Sequence, residues 1–173
     1  MNYLIEPQKQ VEICARAEVL ILGGGPSGIA AAIASARSGS KTILLERYGF
    51  LGGMGTAAMV TNFCGLHANI NGTVQRIVHG VADDILARLE DLGGLNAPHH
   101  IKGRNGGHDT AAQAYDTAAY KVVADELLKD AGVDIRFHAL AAGVAMKNTS
   151  SIDAVILETK SGRKAINAEI FID

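Results

Sequence analysis

The chain reads as an α/β fold, a parallel sheet with flanking helices and a small antiparallel β-meander. Three observations predict it. The apolar run Val19-Leu20-Ile21-Leu22 leads straight into a glycine turn and then into good helix formers. A second apolar run, Lys41 to Glu46, follows and closes on a carboxylate. The rest of the chain alternates helical periods with short β-like segments, the pattern of strand–helix units stacked into a doubly wound sheet.

The first strand ends in Gly23-Gly24-Gly25-Pro26-Ser27-Gly28, a G-x-G-x-x-G turn with Ile29 to Arg37 behind it. Strand, glycine turn and helix in that order are the context that gives the motif meaning as a dinucleotide-binding fingerprint of a Rossmann-like unit. Gly23 permits the tight turn, Gly25 removes a Cβ from the path of a diphosphate, and Gly28 lets helix and strand approach. The helix start then presents free N–H groups and a positive dipole end to phosphate. Glu46 lies 18 positions after Gly28 (46 − 28), near the roughly 20 expected for a carboxylate that holds a ribose hydroxyl.

The helix is rich in small residues, from Ala30 to Ala36, so it can lie close on the sheet, and Gly39 stands where a helix stop is expected. Tyr48 to Ile70 is glycine-rich and irregular, with a short helix expected over Thr56 to Val60. Thr73 to Leu92 has a helical apolar period through Val74, Ile77, Val78, Val81, Ile85 and Leu89, stopped by Gly93-Gly94. Residues 95–113 read as an exposed loop. Asp116 is the expected N-cap of a helix whose apolar face is Tyr120, Val123, Ala124, Leu127 and Leu128, closed by Gly132. Val133 to His138 reads as a strand. Segments around Val144–Met146, Ile152–Glu158 and Ala165–Ala168 form the meander, with a turn at Lys160 to Arg163, ahead of a last parallel strand ending at Asp173.

Composition narrows the function. The chain has 173 residues, enough for one core, with 48% hydrophobic residues and a formal charge of −2. That balance gives no electrostatic footprint for nucleic acid or an anionic membrane. The first residues lack the apolar stretch of a secretion signal, and no run approaches the ~18 apolar residues of a membrane span. Cys14 and Cys64 are far apart and form no metal spacing; a cytoplasmic, reducing setting is the default. His99 and His100 are adjacent and do not converge on one ion, and no metal motif is present, so no metal is expected. Cys64 is expected to be a buried, inert thiol, and His138 a packed or capping residue. No G-x-S-x-G or P-loop lysine appears, so any chemistry belongs to a cofactor and no catalytic residue is named.

Directly after Glu46 comes Arg47-Tyr48-Gly49-Phe50-Leu51-Gly52-Gly53-Met54-Gly55-Thr56. A nicotinamide domain has no need of this second glycine cluster. An extended FAD molecule needs a second close backbone approach, with Gly52 and Gly53 bare and Thr56 offering a hydroxyl on the route toward the flavin ring.

From ILGGGPSGIAAAIASARSGSKTILLERYGFLGGMGT onward, the sequence resembles the N-terminal part of FAD-dependent oxidoreductases with the glutathione-reductase-like fold. The likeness continues through IVHGVADDILARLEDLGG, YDTAAYKVVADELLKDAGVDIRFHA and INAEIFID. It implies that Gly23, Gly25, Pro26, Ser27 and Gly28 meet the FAD diphosphate. Glu46 would bind the adenosine ribose, Arg47 would flank adenine, and Ala141 would touch adenine through its backbone. Gly52, Gly53, Met54, Gly55 and Thr56 would line the diphosphate and ribityl side.

The resemblance also implies the organisation. Residues 1–17 would be an N-terminal arm, and 18–173 the N-terminal portion of an FAD-binding domain. A helix and loop insertion would span about 61–113 and the meander about 141–168, with no substrate domain. Domains seldom end inside an apolar strand, so the expectation is an incomplete FAD-binding domain, cut short or completed by a partner chain, with homo-oligomerisation open. The expected activity is hydride or electron transfer between flavin and a small organic substrate. An NAD(P)-binding dehydrogenase and a non-catalytic nucleotide-binding subunit are the alternatives.

Overall fold

The computed structural model describes residues 3–4, 7–103 and 109–173. In chain order the elements are β1 (Glu12–Leu22), α1 (Pro26–Arg37), β2 (Thr42–Glu46), β3 (Asn62–Phe63), β4 (His67–Ile70), β5 (Thr73–Arg76) and α2 (Val81–Asp91). There follow β6 (His99–Ile101), β7 (Thr110–Ala114), α3 (Thr117–Asp130), β8 (Asp134–Phe137), β9 (Ala139–Asn148), β10 (Ser151–Thr159) and β11 (Gly162–Ile172). A six-stranded sheet has the order β8-β2-β1-β11-β10-β9. Its β8, β2, β1 and β11 run parallel, and β10 and β9 continue it antiparallel.

Every residue of β2, Thr-Ile-Leu-Leu-Glu, is buried, as a strand covered on both faces requires. Successive side chains alternate between two cores. Val19, Ile21 and Leu44 face α1 and α3, where they meet Ile29, Ile33, Tyr120, Val123 and Leu127. Leu20, Ile43 and Leu45 face the other way and meet Val155, Leu157 and Ile166 of the meander. The sheet therefore carries helices on one face and its own antiparallel end on the other, and the end of β1 is held rigidly where the glycine turn begins.

Asp116 caps α3 as expected: its Oδ1 accepts from the N–H groups of Ala118 at 2.7 Å and Ala119 at 2.9 Å. Asp116→Ala is expected to lower stability by about 1 kcal/mol, read as a lower urea midpoint at unchanged slope. Burial, with Tyr115 beside it, pushes the Tyr120 phenol up to about 12. Its neutral form is therefore favoured by the fold. The stability it contributes is intact below pH 10 and is lost as pH climbs from 10 toward about 12. Thermal melts across that window should fall less steeply in Tyr120→Phe than in the parent.

The structure corrects several expectations. The arm read over 1–17 is shorter, because β1 begins at Glu12 and pairs in parallel with β11 from Glu12↔Lys164; residues 1–2 and 5–6 lie outside the described residues. The helical period from Thr73 is real only from Val81. Val74 instead lies in a β4–β5 hairpin turning at Asn71 (φ 52°) and Gly72 (φ 86°). Thr56 to Val60 is not a helix; the preceding Gly53–Gly55 makes a 3-10 turn.

The loop read over 95–113 contains the β6–β7 hairpin, with Ala111, Ala112 and Gln113 buried; its residues 104–108 lie outside the described ones. The meander's third strand and the last parallel strand are one element, β11, which pairs with β10 through Asn167 and with β1 through Ile172. Cys64 is exposed rather than buried.

Candidate functional site

The site is built where β1 stops. Gly23 takes φ 105°, a conformation only glycine adopts without strain, and its N–H donates to the Leu45 carbonyl at 2.8 Å. The turn is thereby tied to the end of β2. A Cβ at Gly28 would stand 1.9 Å from the Gly23 carbonyl oxygen, so the third glycine is dictated by the first turn of α1 lying on the bend itself. No side chain caps α1; its N-cap is Gly25, with Pro26 behind it. Free N–H groups and the positive dipole end therefore face solvent at this point, which suits an anion.

Glu46 is 6% exposed, and both its oxygens are engaged. Oε2 accepts from Gly24 N–H at 2.8 Å and Oε1 from Tyr48 N–H at 2.8 Å. An ionised carboxylate has about four lone-pair sites, so acceptor capacity remains for a sugar hydroxyl. Gly24, an x of the motif, is tightly enclosed as well: a Cβ there would meet Leu51 Cδ2 at 2.3 Å and Glu46 Oε2 at 3.0 Å, so one of those side chains would have to shift.

The second glycine bend rests directly on the first. Gly52 N–H donates to the Gly24 carbonyl at 2.8 Å, and a Cβ at Gly53 would lie 2.8 Å from the Gly25 Cα. Thr56 is buried, and its hydroxyl donates to the Leu51 carbonyl at 2.6 Å. It closes the bend on itself, which differs from the expected hydroxyl offered outward. Gly55 is buried too, because a Cβ there would meet the Tyr115 hydroxyl at 2.5 Å. Tyr115 itself donates to the Val60 carbonyl at 2.5 Å and stacks on Phe63. Burial, then the nearby Cys64, pushes its phenol up, so it remains a donor at neutral pH. Nothing in the sequence marked Tyr115, since its role depends on β7 returning beside the bend.

Two grooves meet over the end of β1. One, of about 210 Å3, is lined by Gly23, Gly25, Pro26, Ser27 and Gly28. The other, of about 310 Å3, is lined by Gly23, Glu46, Arg47 and Ala141. Leu22, Gly23 and Asp173 belong to both. Asp173 brings a carboxylate to both grooves; the first adds the free N–H groups at the start of α1, which suit a phosphate, and the second adds Glu46, which suits a hydroxylated sugar. Ala141 is thus brought beside Glu46 as expected. Arg47 lies over the Tyr48 ring at 4.7 Å and donates to its hydroxyl at 2.9 Å, on the groove's rim. The segment Gly52 to Thr56 lines neither groove: Gly52, Gly55 and Thr56 turn inward and Met54 is 62% exposed.

The glycine cradle and the buried acid at a strand tip fit an extended dinucleotide. Comparison with known proteins identifies which family carries them. The sequence profile of the FAD dependent oxidoreductase family matches residues 18–173. The chain belongs to that family. A search of curated protein sequences gives no match.

Among solved structures, the chain is similar to THI4 from Thermovibrio ammonificans, at 16% identity and TM-score 0.55 over 91% of this chain and 57% of that one. It is similar to a geranylgeranyl bacteriochlorophyll reductase-like protein from Thermoplasma acidophilum, at 18% identity and TM-score 0.56 over 91% and 38%. It is also similar to 3-ketosteroid-delta4-(5alpha)-dehydrogenase from Rhodococcus jostii, at 14% identity and TM-score 0.59 over 92% and 46%. The chain therefore spans between about two fifths and just over half of each of these proteins. Identities this low speak for the fold alone. The family match places this fold with the flavin-dependent oxidoreductases, and no finding favours the nicotinamide alternative. Among the described residues no cluster of His, Cys, Asp and Glu suits a metal ion, and no helix is long and apolar enough to cross a membrane.

Proposed function

We propose that this chain is the FAD-holding portion of a flavin-dependent oxidoreductase. The diphosphate lies across the start of α1 on Gly23, Gly25, Pro26, Ser27 and Gly28, where the uncapped N–H groups and dipole attract it. The adenosine ribose meets the spare acceptor capacity of Glu46, with Arg47 and Ala141 beside the adenine. Gly53 faces the ribityl side with its bare backbone, Met54 stands exposed beside it, and Gly52, Gly55 and Thr56 turn inward and hold that bend in place. Tyr115 keeps that bend against the core. When bound, the flavin supplies hydride or electron transfer to or from an organic substrate; the chain's own residues bind it, orient it and shield it from water.

The single observation that supports this reading best is the backbone-to-backbone contact of Gly53 on Gly25, two bends made to pass one extended ligand. A cytoplasmic setting agrees with Cys14 and Cys64, both free. The substrate side is proposed to come from further polypeptide, a partner chain or a second copy. The test is reconstitution of the purified protein with FAD, gel filtration, and a visible spectrum before and after dithionite, with the retained cofactor identified by mass. A yellow protein that bleaches and releases FAD supports the reading. A colourless protein, or one retaining NAD in preference to FAD, refutes it.

A further inference from the structure

The loop leaving β2 is held on both sides although Arg47, Tyr48 and Gly49 are exposed. Tyr48 N–H donates to Glu46 Oε1 at 2.8 Å, and its carbonyl accepts from His138 N–H at 3.1 Å. His138 reaches it from a left-handed backbone, φ 53°, a conformation that persists only where its surroundings hold it. Its ring lies so close on Gly49 that a Cβ there would meet Nε2 at 2.9 Å.

On this fixed backbone four side chains form one stack. Lys121 of α3 puts its ammonium 3.9 Å from the Phe50 ring centroid. The Phe50 and Tyr48 rings are 5.6 Å apart and nearly parallel, at 9°. Arg47 Cζ lies 4.7 Å from the Tyr48 centroid, and its Nη2 donates to the Tyr48 hydroxyl at 2.9 Å. Arg47 makes no ion pair among the described residues, so the Tyr48 ring and hydroxyl set where its guanidinium lies. Arg47 also lines the groove that contains Glu46 and Ala141. A guanidinium plane with a ring on one face keeps its other face for a second ring, and nucleic-acid bases stack on such planes.

We propose that Lys121, Phe50 and Tyr48 are positioning residues that hold Arg47 as a stacking platform for a purine base, so that this groove selects purine over pyrimidine nucleotides. The assignment rests on the adenosine placement proposed above and adds to it the residues that orient the platform. ADP and UDP are the probes, because they share ribose and diphosphate and differ in the base. Titration of the nitrogen-15-labelled protein should show ADP binding about fivefold or more tighter than UDP, the larger ring stacking better. Tyr48→Leu should cut that preference about two- to fivefold, the worth of an exposed cation–π contact. UDP affinity should stay within about twofold of the parent, which a general loosening of the glycine turn would not allow. Phe50→Leu should act in the same direction, and Tyr48→Phe, which keeps the ring, should keep the preference.

The Arg47 Nε–H signal reads the stack directly. It should lie upfield in the parent, move further upfield with ADP, and return to its ordinary position in Tyr48→Leu but not in Tyr48→Phe. The assignment is overturned by ADP that binds without moving this signal, by a parent with no purine preference, or by Tyr48→Leu weakening ADP and UDP in equal proportion. A parent that binds neither ADP nor FAD overturns the adenosine placement as well; one that binds both, with Arg47 unaffected, overturns the platform alone.

Discussion

Gly28→Ala is expected to remove FAD binding while leaving most of the sheet folded. The added Cβ would stand 1.9 Å from the Gly23 carbonyl oxygen and 3.0 Å from its carbon. The obstacle is backbone, not the end of a flexible side chain, so either the turn or the first helical turn must move by an ångström or more. Overpacking of this kind costs about 1–3 kcal/mol of stability. The effect on the ligand is larger, because the displaced atoms are the N–H groups on which the proposal places the diphosphate. A hundredfold or greater loss of FAD affinity is expected, about 3 kcal/mol, measured by quenching of flavin fluorescence. Gly143→Ala is the matched control. A Cβ there meets nothing within 4 Å, and its variant should bind FAD as the parent does, within about 0.5 kcal/mol in stability.

Glu46→Ala should damage stability and binding together. Its carboxylate joins the glycine turn at Gly24 to the chain leaving β2 at Tyr48, with both contacts at 2.8 Å. Truncation strands two backbone donors, of which Gly24 N–H is buried, and an unmade buried bond costs about 1–3 kcal/mol. A loss of about 2–4 kcal/mol in urea unfolding is expected on that basis. FAD affinity should fall tenfold or more beyond what partial unfolding explains, because the proposed acceptor for the sugar is removed. Glu46→Gln keeps one acceptor oxygen and should fall between parent and alanine on both measures. An alanine variant that is less stable yet binds FAD undiminished would limit Glu46 to a structural role.

The parallel sheet and the first glycine turn were legible because their causes are local. Val19 to Leu22 is apolar and the glycines follow at once, Gly23 required by its φ of 105° and Gly28 by the Gly23 carbonyl that a Cβ would strike. Asp116 was legible for the same reason: a cap needs only the residues two and three positions on.

What was missed depends on distant chain. The segment Glu12 to Ala17 has too polar a start to announce a strand, and it becomes one because β11, some 150 residues later, lies beside it. The β6–β7 hairpin has a single large apolar residue in its strands, the exposed Ile101, too little to reveal it, yet Ala111 and Ala112 are buried and Gln113 donates to the Asn96 carbonyl at 2.9 Å. The β4–β5 hairpin did carry a local signal. Asn71-Gly72 favours the left-handed backbone of a tight hairpin, but Val74, Ile77 and Val78 also fit a helical period, which masks the turn.

In the candidate site, Gly23, Gly25, Gly28 and Glu46 were readable from spacing. The inward roles of Thr56 and Gly55 were not, because they follow from Leu51 and Tyr115 closing over the bend.

The most direct measurement is an amide-resolved nuclear magnetic resonance titration of the nitrogen-15-labelled protein with FAD. Saturable shifts should concentrate at the N–H groups of Gly23 to Gly28, at Glu46 and Arg47, at Gly52 and Gly53, and at Ala141. Shifts confined to α2 and the β4–β5 hairpin, or no saturable shift at FAD concentrations that fill other members of the family, would contradict the account.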